Sequence, residues 1–307
     1  MKISVILATF NEEKNIKGCL ESVKDLADEI VIVDGTSTDK TVQIAKKYTK
    51  KIFIRENPLM FHKNKQYAIE KATGDWILYL DADERITPEL REEILKVTKN
   101  QRLTTNDQYN GFWIPRKNII FGKWIRHTGW WPDYQLRLFR QGKAFLPCKS
   151  VHEQLQLTGG AGYLKNPIVH YNYQTISQFI QKLNALYTEN DKNVFLAEGR
   201  KLSWQDVIRF PAAEFLKRFF KQEGYKDGLH GLVLSILQAF SAFVTFAKIW
   251  EHQGFLEIQP TNFVQKIEKE NRNFSKEFKY WFLTSKMDQT ENLLKKIYYR
   301  VRRKLSL

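Results

Sequence analysis

An apolar run that ends in two carboxylates constrains this chain more than any other feature. Residues 76–80 read WILYL and lead directly into Asp81-Ala82-Asp83. The run is too short for a free-standing helix, and turn residues precede it, so it predicts a buried strand. Open α/β sheets bind ligands at the carboxyl ends of their strands, where Asp81 and Asp83 fall. In an extended segment the two side chains point to one side, and their hard oxygens suit Mg²⁺ or Mn²⁺. The alternative is a solvated acidic turn.

Strands and helices alternate over the first hundred residues. Apolar, β-branched runs predict further strands at 3–7, 30–33 and 52–54, with helices after each of them, the later two at about 40–48 and 62–72. This alternation predicts an α/β fold with parallel strands and right-handed crossovers. The glycine fingerprint of dinucleotide-binding folds is absent, which argues against a dinucleotide ligand.

Polar residues follow the first two predicted strands. Thr9, Asn11 and Glu12 come after the first strand, and Asp34 ends the second. Asp34 is placed to accept hydrogen bonds from a ribose, as acidic residues do in nucleotide-binding βαβ units. Asn11 suits helix capping equally well, and Glu12 in a first helical turn suits the helix dipole.

Three ordered segments carry a family resemblance. Residues 5–12 read VILATFNE, residues 31–41 read VIVDGTSTDKT, and residues 72–84 read ATGDWILYLDADE. In this order and spacing the chain resembles the inverting family 2 glycosyltransferases, and within them the bacterial glucosyltransferases of lipopolysaccharide core assembly. The resemblance is close over the first third and extends less tightly to about Tyr173. It implies the GT-A fold, a Rossmann-like mixed sheet flanked by helices, with a nucleotide-sugar donor and a divalent metal.

The resemblance implies a donor pocket at the first two strands. Thr9, Asn11 and Glu12 would line the base and ribose pocket, and Asp34 would contact uracil or ribose of a UDP-sugar. The pair Asp34-Gly35 stands where the family often has two aspartates, so this contact would depend on one carboxylate.

The resemblance also implies roles for the acidic pair. Asp83 would hold the Mg²⁺ or Mn²⁺ ion that bridges the diphosphate, and Asp81 would contact ribose or metal. Lys65 occupies a place where the family often has a basic residue near the nucleotide. Gln66 beside it departs from the usual Asn.

The acceptor half contains an aromatic loop that ends in a carboxylate. Residues 128–135 read TGWWPDYQ and lie between predicted strands at 110–115 and 136–140. Aromatic rings can cover the apolar face of a sugar, and inverting transfer needs one general base on the acceptor hydroxyl. Pro132-Asp133 resembles the acidic pair that supplies this base in the family, with its first acidic residue lost. We expect Asp133 to be the base, with Glu153 as the rival.

Four further residues are less specific candidates for the site. His152 can complete the metal site through a neutral ring nitrogen, or it can be a structural histidine. His170 is expected in the core or at the rim of the site. Arg137 and Arg140 can bind phosphate, although a solvated strand face explains them almost as well.

The carboxyl-terminal third predicts helices and membrane contact. Residues 178–196 predict a helix, and residues 208–220 predict a basic amphipathic helix at a membrane interface. Residues 229–247 contain no Asp, Glu, Lys or Arg and approach the length that spans a bilayer, so interfacial, core-packing and spanning roles stay open. The basic tail after Thr261 suits an anionic leaflet or a solvated terminal helix. We therefore expect a glycosyltransferase domain at 1–175, with donor half 1–100 and acceptor half 101–175, and a membrane-associating extension at 176–307.

Charge and cysteine content limit the functional classes. The net charge of +15 implies an anionic partner: nucleic acid, anionic lipid or a phosphorylated substrate. No nucleic-acid-binding motif occurs and the positive charge is concentrated late, so we do not expect nucleic acid. A nucleotidyltransferase would usually have a glycine- and basic-rich loop after the first strand, which this chain lacks. Cys19 and Cys148 form no spacing pattern, which favours a reducing compartment.

We expect no signal peptide, because the first apolar run is short. Together these patterns predict a metal-dependent transferase that is peripheral on the cytoplasmic membrane face and acts on a lipid-linked or lipopolysaccharide-core saccharide.

Overall fold

The chain folds into two compact units. A computed structural model describes residues 1–58, 62–99, 109–148 and 154–305. Residues 1–119 and 131–172 form the first unit, and residues 120–130 and 173–307 form the second. Residues 120–130 thus group with the helical unit, although the predicted acceptor half contains them.

A mixed sheet lies at the centre of the first unit. The strands are β1 Ile3–Thr9, β2 Glu29–Asp34, β3 Ile52–Ile54, β4 Trp76–Leu80, β5 Glu84–Ile86, β6 Tyr109–Ile120, β7 Lys123–Trp124, β8 Asp133–Arg140, β9 Ala144–Phe145, β10 Gln156–Leu157, β11 Gly160–Tyr163 and β12 Ile168–Tyr171. The order in the main sheet is β3-β2-β1-β4-β8-β6-β12-β5. Strands β1 to β4 pair in parallel, whereas β8 runs antiparallel to both β4 and β6.

Helices cover both faces of the sheet because the central strands are apolar on both sides. These helices are α1 Ile16–Val23, α2 Thr41–Ala45, α3 His62–Lys71 and α4 Pro88–Lys99. Along β1, Val5 and Leu7 pack into the core with α1 and α4, and Ile6 packs into the core with α3. This two-sided burial is typical of parallel strands. The predicted α/β class and the four predicted strands are confirmed.

The sheet brings several strand ends to one edge. Thr9 lies opposite Asp34 in the pairing of β1 and β2, and Leu7 lies opposite Leu80 in the pairing of β1 and β4. Strand β8 is antiparallel to β4, so it begins near the edge at which β4 ends. The turn after β4 and the first residue of β8, Asp133, therefore share this edge.

The second unit is helical, as predicted for the carboxyl-terminal region. Its helices are α5 Ile176–Lys182, α6 Thr188–Ala197, α7 Asp206–Leu216, α8 Leu229–His252, α9 Phe263–Asp288 and α10 Leu293–Lys304. Leu234 of α8 is fully buried in a cluster with Ile120, Ile125, Phe179 and Leu183. These contacts explain why the 120–130 segment belongs to this unit.

Helix α8 has one buried and one exposed face. In the described part of the chain it is the helix whose length and composition would allow it to cross a membrane. Leu234, Phe246 and Ile249 are buried inside the unit. An apolar stripe on α8 is exposed; it consists of Leu229, Ile236, Phe240, Phe243 and Trp250. The helix is therefore partly a core helix, with an apolar surface left over.

The segment predicted as a basic interfacial helix, 208–220, lies mostly within α7. Leu216 and Phe220 are buried in the helical unit. Arg209 forms an ion pair with Glu270, and Arg218 donates to Glu214. Leu216, Phe220 and the two arginines of this segment therefore make contacts within the helical unit.

Candidate active site

The acidic pair after β4 lies in a tight turn. The Glu84 N–H donates to the Asp81 carbonyl at 3.0 Å, which closes the turn. We expected both side chains to point to one side because we assumed an extended segment. The segment is a turn, so that expectation was wrong. Asp81 contacts Lys65 and Arg137, whereas Asp83 faces His170. The two carboxylates therefore have different electrostatic environments.

Asp81 is bound by two cations. Its Oδ1 accepts from Lys65 Nζ at 2.9 Å and from the Tyr79 hydroxyl at 3.1 Å, and its Oδ2 accepts from Arg137 Nη2 at 2.7 Å. Burial alone would raise the pKa of Asp81, but Lys65 and Arg137 hold it well below its ordinary value. Burial likewise favours a lower pKa for Lys65, yet Asp81 raises it. The predicted pair of Lys65 and Asp81 is thus brought together, with both groups charged.

Arg137 connects Asp81 to a buried third carboxylate. Its Nη2 also donates to Glu84 Oε1 at 2.7 Å, and Glu84 Oε2 accepts from the Asp81 N–H at 2.9 Å. Burial would lower the pKa of Arg137, but Glu84 and Asp81 raise it well above its ordinary value. Because Arg137 is only 4% exposed, the solvated-face interpretation was wrong for this residue. Arg140 lies over the Trp76 ring, 4.7 Å from its centroid.

Asp133, the expected base, is held by a neighbouring strand. Its Oδ2 accepts from Arg116 Nε at 2.8 Å and Nη2 at 2.6 Å, and from Asn118 Nδ2 at 3.2 Å. Its Oδ1 accepts from Gln135 Nε2 at 2.9 Å. Burial favours a higher pKa for Asp133, but Arg116 lowers it below the ordinary value. The carboxylate is therefore ionised at neutral pH, as a general base must be.

His170 lies beside Asp83. Strand β12 pairs antiparallel with β5 and places His170 opposite Glu84. His170 Nε2 is then 3.5 Å from Asp83 Oδ2, and its Nδ1 is 2.7 Å from Asn118 Oδ1. Since an amide oxygen only accepts, Nδ1 donates to Asn118, and Nε2 is the ring nitrogen that faces Asp83.

Both oxygens of Asp81, which was also predicted to bind the metal, accept from cations, so Asp83 with His170 is the described pair that suits a divalent metal. No group of three or more His, Cys, Asp or Glu side chains in the described ranges could hold a metal. Mg²⁺ is commonly held by one or two carboxylates and takes its other oxygens from phosphates and water, so the Asp83 carboxylate fits this ion, with His170 beside it. The other predicted candidates, His152 and Glu153, lie outside the described residues.

Asp34 is buried at the end of β2. It accepts from Thr9 Oγ1 at 2.9 Å, from the Ser37 N–H at 2.8 Å and from the Ser37 hydroxyl at 2.6 Å. These bonds fix the loop after β2 against the end of β1. The predicted donor residues Thr9 and Asp34 are thus in direct contact.

Asn11 and Glu12 tie the loop after β1 to the loop after β2. Asn11 has a left-handed φ of 54°, and its Oδ1 accepts from the Thr38 N–H at 2.9 Å. The Glu12 N–H donates to Thr41 Oγ1 at 2.7 Å. Helix α1 begins only at Ile16, so the capping role considered for Asn11 was wrong. Its side-chain oxygen instead holds the loop after β2.

Sequence patterns did not identify Glu84, Arg116 and Asn118 as parts of this site. They link the others: Arg116 Nη1 lies 3.6 Å from Glu84 Oε1, and Asn118 contacts both Asp133 and His170. Glu84 could have been identified, because its carboxylate follows the acidic pair directly in the sequence. The two β6 residues had no such signal, because strand register places them.

Comparisons with known proteins identify the family of this chain. A family model described as Glycosyl transferase family 2 matches residues 4–155. Glycosyltransferase RT0209 of Rickettsia typhi is 30% identical over 261 residues, 81% of this chain and 87% of the relative. The lipopolysaccharide core biosynthesis glycosyltransferase LpsC of Rhizobium meliloti is 28% identical over 83% of this chain and 94% of its own length. The structure of S. aureus TarS 1–349 with UDP-GlcNAc is similar at a TM-score of 0.41 and 16% identity, covering 81% of this chain and 92% of that chain.

The resemblance stated from the three sequence segments is therefore confirmed. RT0209 matches at 30% identity over most of both chains, and the family model spans residues 4–155, which include Asp34, Asp81, Asp83 and Asp133. Neither the nucleotidyltransferase nor the nucleic-acid-binding alternative receives support. The chain belongs to the family 2 glycosyltransferases.

Proposed function

We propose that the protein is a metal-dependent inverting glycosyltransferase that uses a nucleotide-sugar, with a UDP-sugar as the expected donor. The observation that carries this proposal is the turn after β4. There Asp83 faces His170, and Asp81 is bound by Lys65 and Arg137. A reaction that expels a diphosphate needs positive charge at this edge, and because Lys65 and Arg137 are paired with carboxylates, a divalent ion at Asp83 and His170 would supply it.

On the donor side, Asp83 and His170 would hold Mg²⁺ or Mn²⁺. Such an ion stabilises the negative charge that develops on a leaving diphosphate. Asp81, kept ionised by its cations, would accept hydrogen bonds from the ribose. The contacts among Thr9, Asp34 and their loops hold the base and ribose pocket in shape before the donor arrives.

On the acceptor side, Asp133 would take the proton from the attacking hydroxyl. Its Oδ2 is held by Arg116 and Asn118, while Oδ1 accepts from Gln135 alone among the described residues. An oxygen has two lone pairs, so Oδ1 keeps one for the acceptor hydroxyl. Glu153 stays the rival for this role.

The proposed acceptor is a lipopolysaccharide-core or other lipid-linked saccharide. LpsC, by its name, acts in lipopolysaccharide core biosynthesis and aligns with most of this chain. The net charge of +15 suits an acceptor that carries phosphate groups.

Acceptor-dependent release of UDP tests this proposal. The protein is incubated with UDP-glucose, UDP-galactose or UDP-GlcNAc, Mn²⁺, and core oligosaccharide from bacterial lipopolysaccharide. We expect one donor to release UDP faster when acceptor is present, and chelation of the metal to stop the release. No release from any of the three UDP-sugars, with or without acceptor, would contradict the proposal as stated.

We further propose that the protein works peripherally at the cytoplasmic face of the membrane. Helix α10 contains six Lys and Arg residues and no Asp or Glu. Its aliphatic residues Leu293, Leu294, Ile297 and Val301 are exposed, and so is Leu305 directly after the helix. Cations beside an exposed apolar face suit an anionic lipid surface. The exposed stripe of α8 gives the same unit a second apolar surface.

Vesicle sedimentation tests the role of α10. Replacing Leu293 and Leu294, which are 70% and 77% exposed, by Ser removes apolar contact without touching the core. We expect binding to vesicles containing phosphatidylglycerol to fall by about tenfold or more, because each buried Leu contributes about 1.5–3 kcal/mol. Val264→Ser changes an equally exposed apolar residue on α9 and should leave binding unchanged. Equal binding of all three proteins would contradict the role of α10.

A further inference from the structure

A cavity of about 370 Å³ lies in the helical unit, between the start of α7 and one face of α9. Trp204 and Arg209 line it from the α7 side. Lys266, Lys269 and Asn273 line it from α9, where their spacing of three and four residues places them on one face. The cavity is therefore walled by an indole, several cations and an amide.

The cavity has an excess of positive charge. Its one carboxylate, Glu270, is 8% exposed and is bound in a fork by Arg209, with Nε at 2.9 Å and Nη2 at 2.7 Å. Lys266 and Lys269 form no ion pair with any described residue and are exposed. Like charges three residues apart repel on a helix, and the one carboxylate of the cavity, Glu270, is already bound by Arg209. Two positive charges are thus left for an anionic ligand.

The remaining walls suit a sugar. The Trp204 ring packs edge-on against Phe263, with centroids 5.3 Å apart and planes at 77°, which fixes the indole. An indole offers a flat apolar surface that can pack against the C–H face of a pyranose. The amides of Gln205 and Asn273 also line the cavity and can both donate and accept, as hydroxyl groups require.

We propose that this cavity binds a phosphorylated saccharide, with the phosphate at Lys266 and Lys269 and the sugar ring against Trp204. Lysine ammonium groups bind phosphate as point charges. This site goes beyond the proposed transfer reaction and does not depend on it, because none of its residues belongs to the donor or base assignments.

Calorimetric titration of the full-length protein with glucose 6-phosphate tests the site. We expect binding at least about tenfold tighter than that of glucose, since the phosphate adds charge-assisted hydrogen bonds. Lys266→Glu with Lys269→Glu should weaken glucose 6-phosphate binding by at least about tenfold. Lys279→Glu, which changes an exposed lysine of the same helix away from the cavity, should not. Trp204→Phe should weaken the binding of the sugar phosphate more than that of inorganic phosphate.

Two controls separate this site from the donor pocket. Binding of glucose 6-phosphate should persist in Asp83→Ala and in the presence of excess UDP. Monophosphoryl lipid A in detergent then shows whether a lipid-borne sugar phosphate competes with the soluble one. Absence of glucose 6-phosphate binding, or binding that is unchanged by the lysine pair or displaced by UDP, would overturn the proposal.

Discussion

Replacing Asp133 by Asn is expected to lower the turnover of sugar transfer by about 10²–10⁴-fold, the usual contribution of a general base. Asn preserves the shape of the side chain but cannot accept the proton of the acceptor hydroxyl. The fold should persist, because the amide oxygen of Asn can still accept from Arg116 while its NH2 group can donate to Gln135 once the Gln135 amide rotates. Turnover is measured with saturating donor and acceptor, beside Glu153→Gln as the matched carboxylate variant. If Glu153→Gln loses the activity and Asp133→Asn keeps it, the base is Glu153.

The pH dependence of Arg116→Gln extends this test. Arg116 holds the pKa of Asp133 below its ordinary value, whereas burial acts in the opposite direction. In the wild type the base therefore stays ionised to a lower pH than an ordinary aspartate does. Removing Arg116 raises the pKa, so the acidic limb of the rate profile should move to higher pH. An unchanged acidic limb would show that Asp133 does not control it.

Replacing Arg137 by Leu is expected to destabilise the first unit strongly. The substitution leaves Glu84, which is fully buried, without its closest cation, and it removes one of the two cations on Asp81. Breaking one side of a buried ion pair costs about 3–5 kcal/mol. For a unit of this size the unfolding midpoint should fall by roughly 6–20 °C, measured by circular dichroism.

Two variants control the Arg137 prediction. Lys143→Leu removes an exposed cation just beyond the same strand and should change the free energy of unfolding by less than about 0.5 kcal/mol. Combining Glu84→Leu with Arg137→Leu replaces two charges by apolar groups and should recover part of the loss. A midpoint for Arg137→Leu that equals the wild-type value would refute the structural importance of this ion pair.

The parts of the fold that were predictable are those that depend on local pattern. The strands at the centre of the sheet are continuous apolar runs, because both faces are buried, and such runs are visible in a single sequence. The acidic pair and Asp34 could be placed for the same reason, because each follows one of these strands, whereas Lys65 was placed by the family resemblance. The three family segments then supplied the reaction class.

The site contacts that were not predictable depend on strand register. Arg116 meets Asp133 because β6 and β8 pair antiparallel with these residues opposite each other. His170 reaches Asp83 because β12 pairs with β5, more than eighty residues earlier in the chain. A shift of one residue in either register would turn these side chains to the other face. No local pattern fixes such pairings, so Arg116 and Asn118 were missed and His170 was ranked low.

The turn after β4 is a second feature that the sequence did not predict. Alternation in an extended strand placed Asp81 and Asp83 on one side, but the bond between Glu84 and Asp81 closes a turn there. The grouping of residues 120–130 with the helical unit was also not predictable from the sequence. Asp227 accepts from the N–H groups of Arg126 and His127 at 3.1 and 2.8 Å. These bonds join segments a hundred residues apart, which composition alone does not reveal.

The central claim is that the edge around Asp83 binds a nucleotide-sugar through a divalent metal. The most direct measurement is calorimetric titration of UDP-sugars into the wild type and Asp83→Ala, each with Mn²⁺ and with chelator. The account predicts that one UDP-sugar binds the wild type only when metal is present, and that Asp83→Ala loses this metal-dependent binding while remaining folded. Metal-independent binding of equal strength in both proteins, or no binding of any UDP-sugar to the wild type, would contradict the claim.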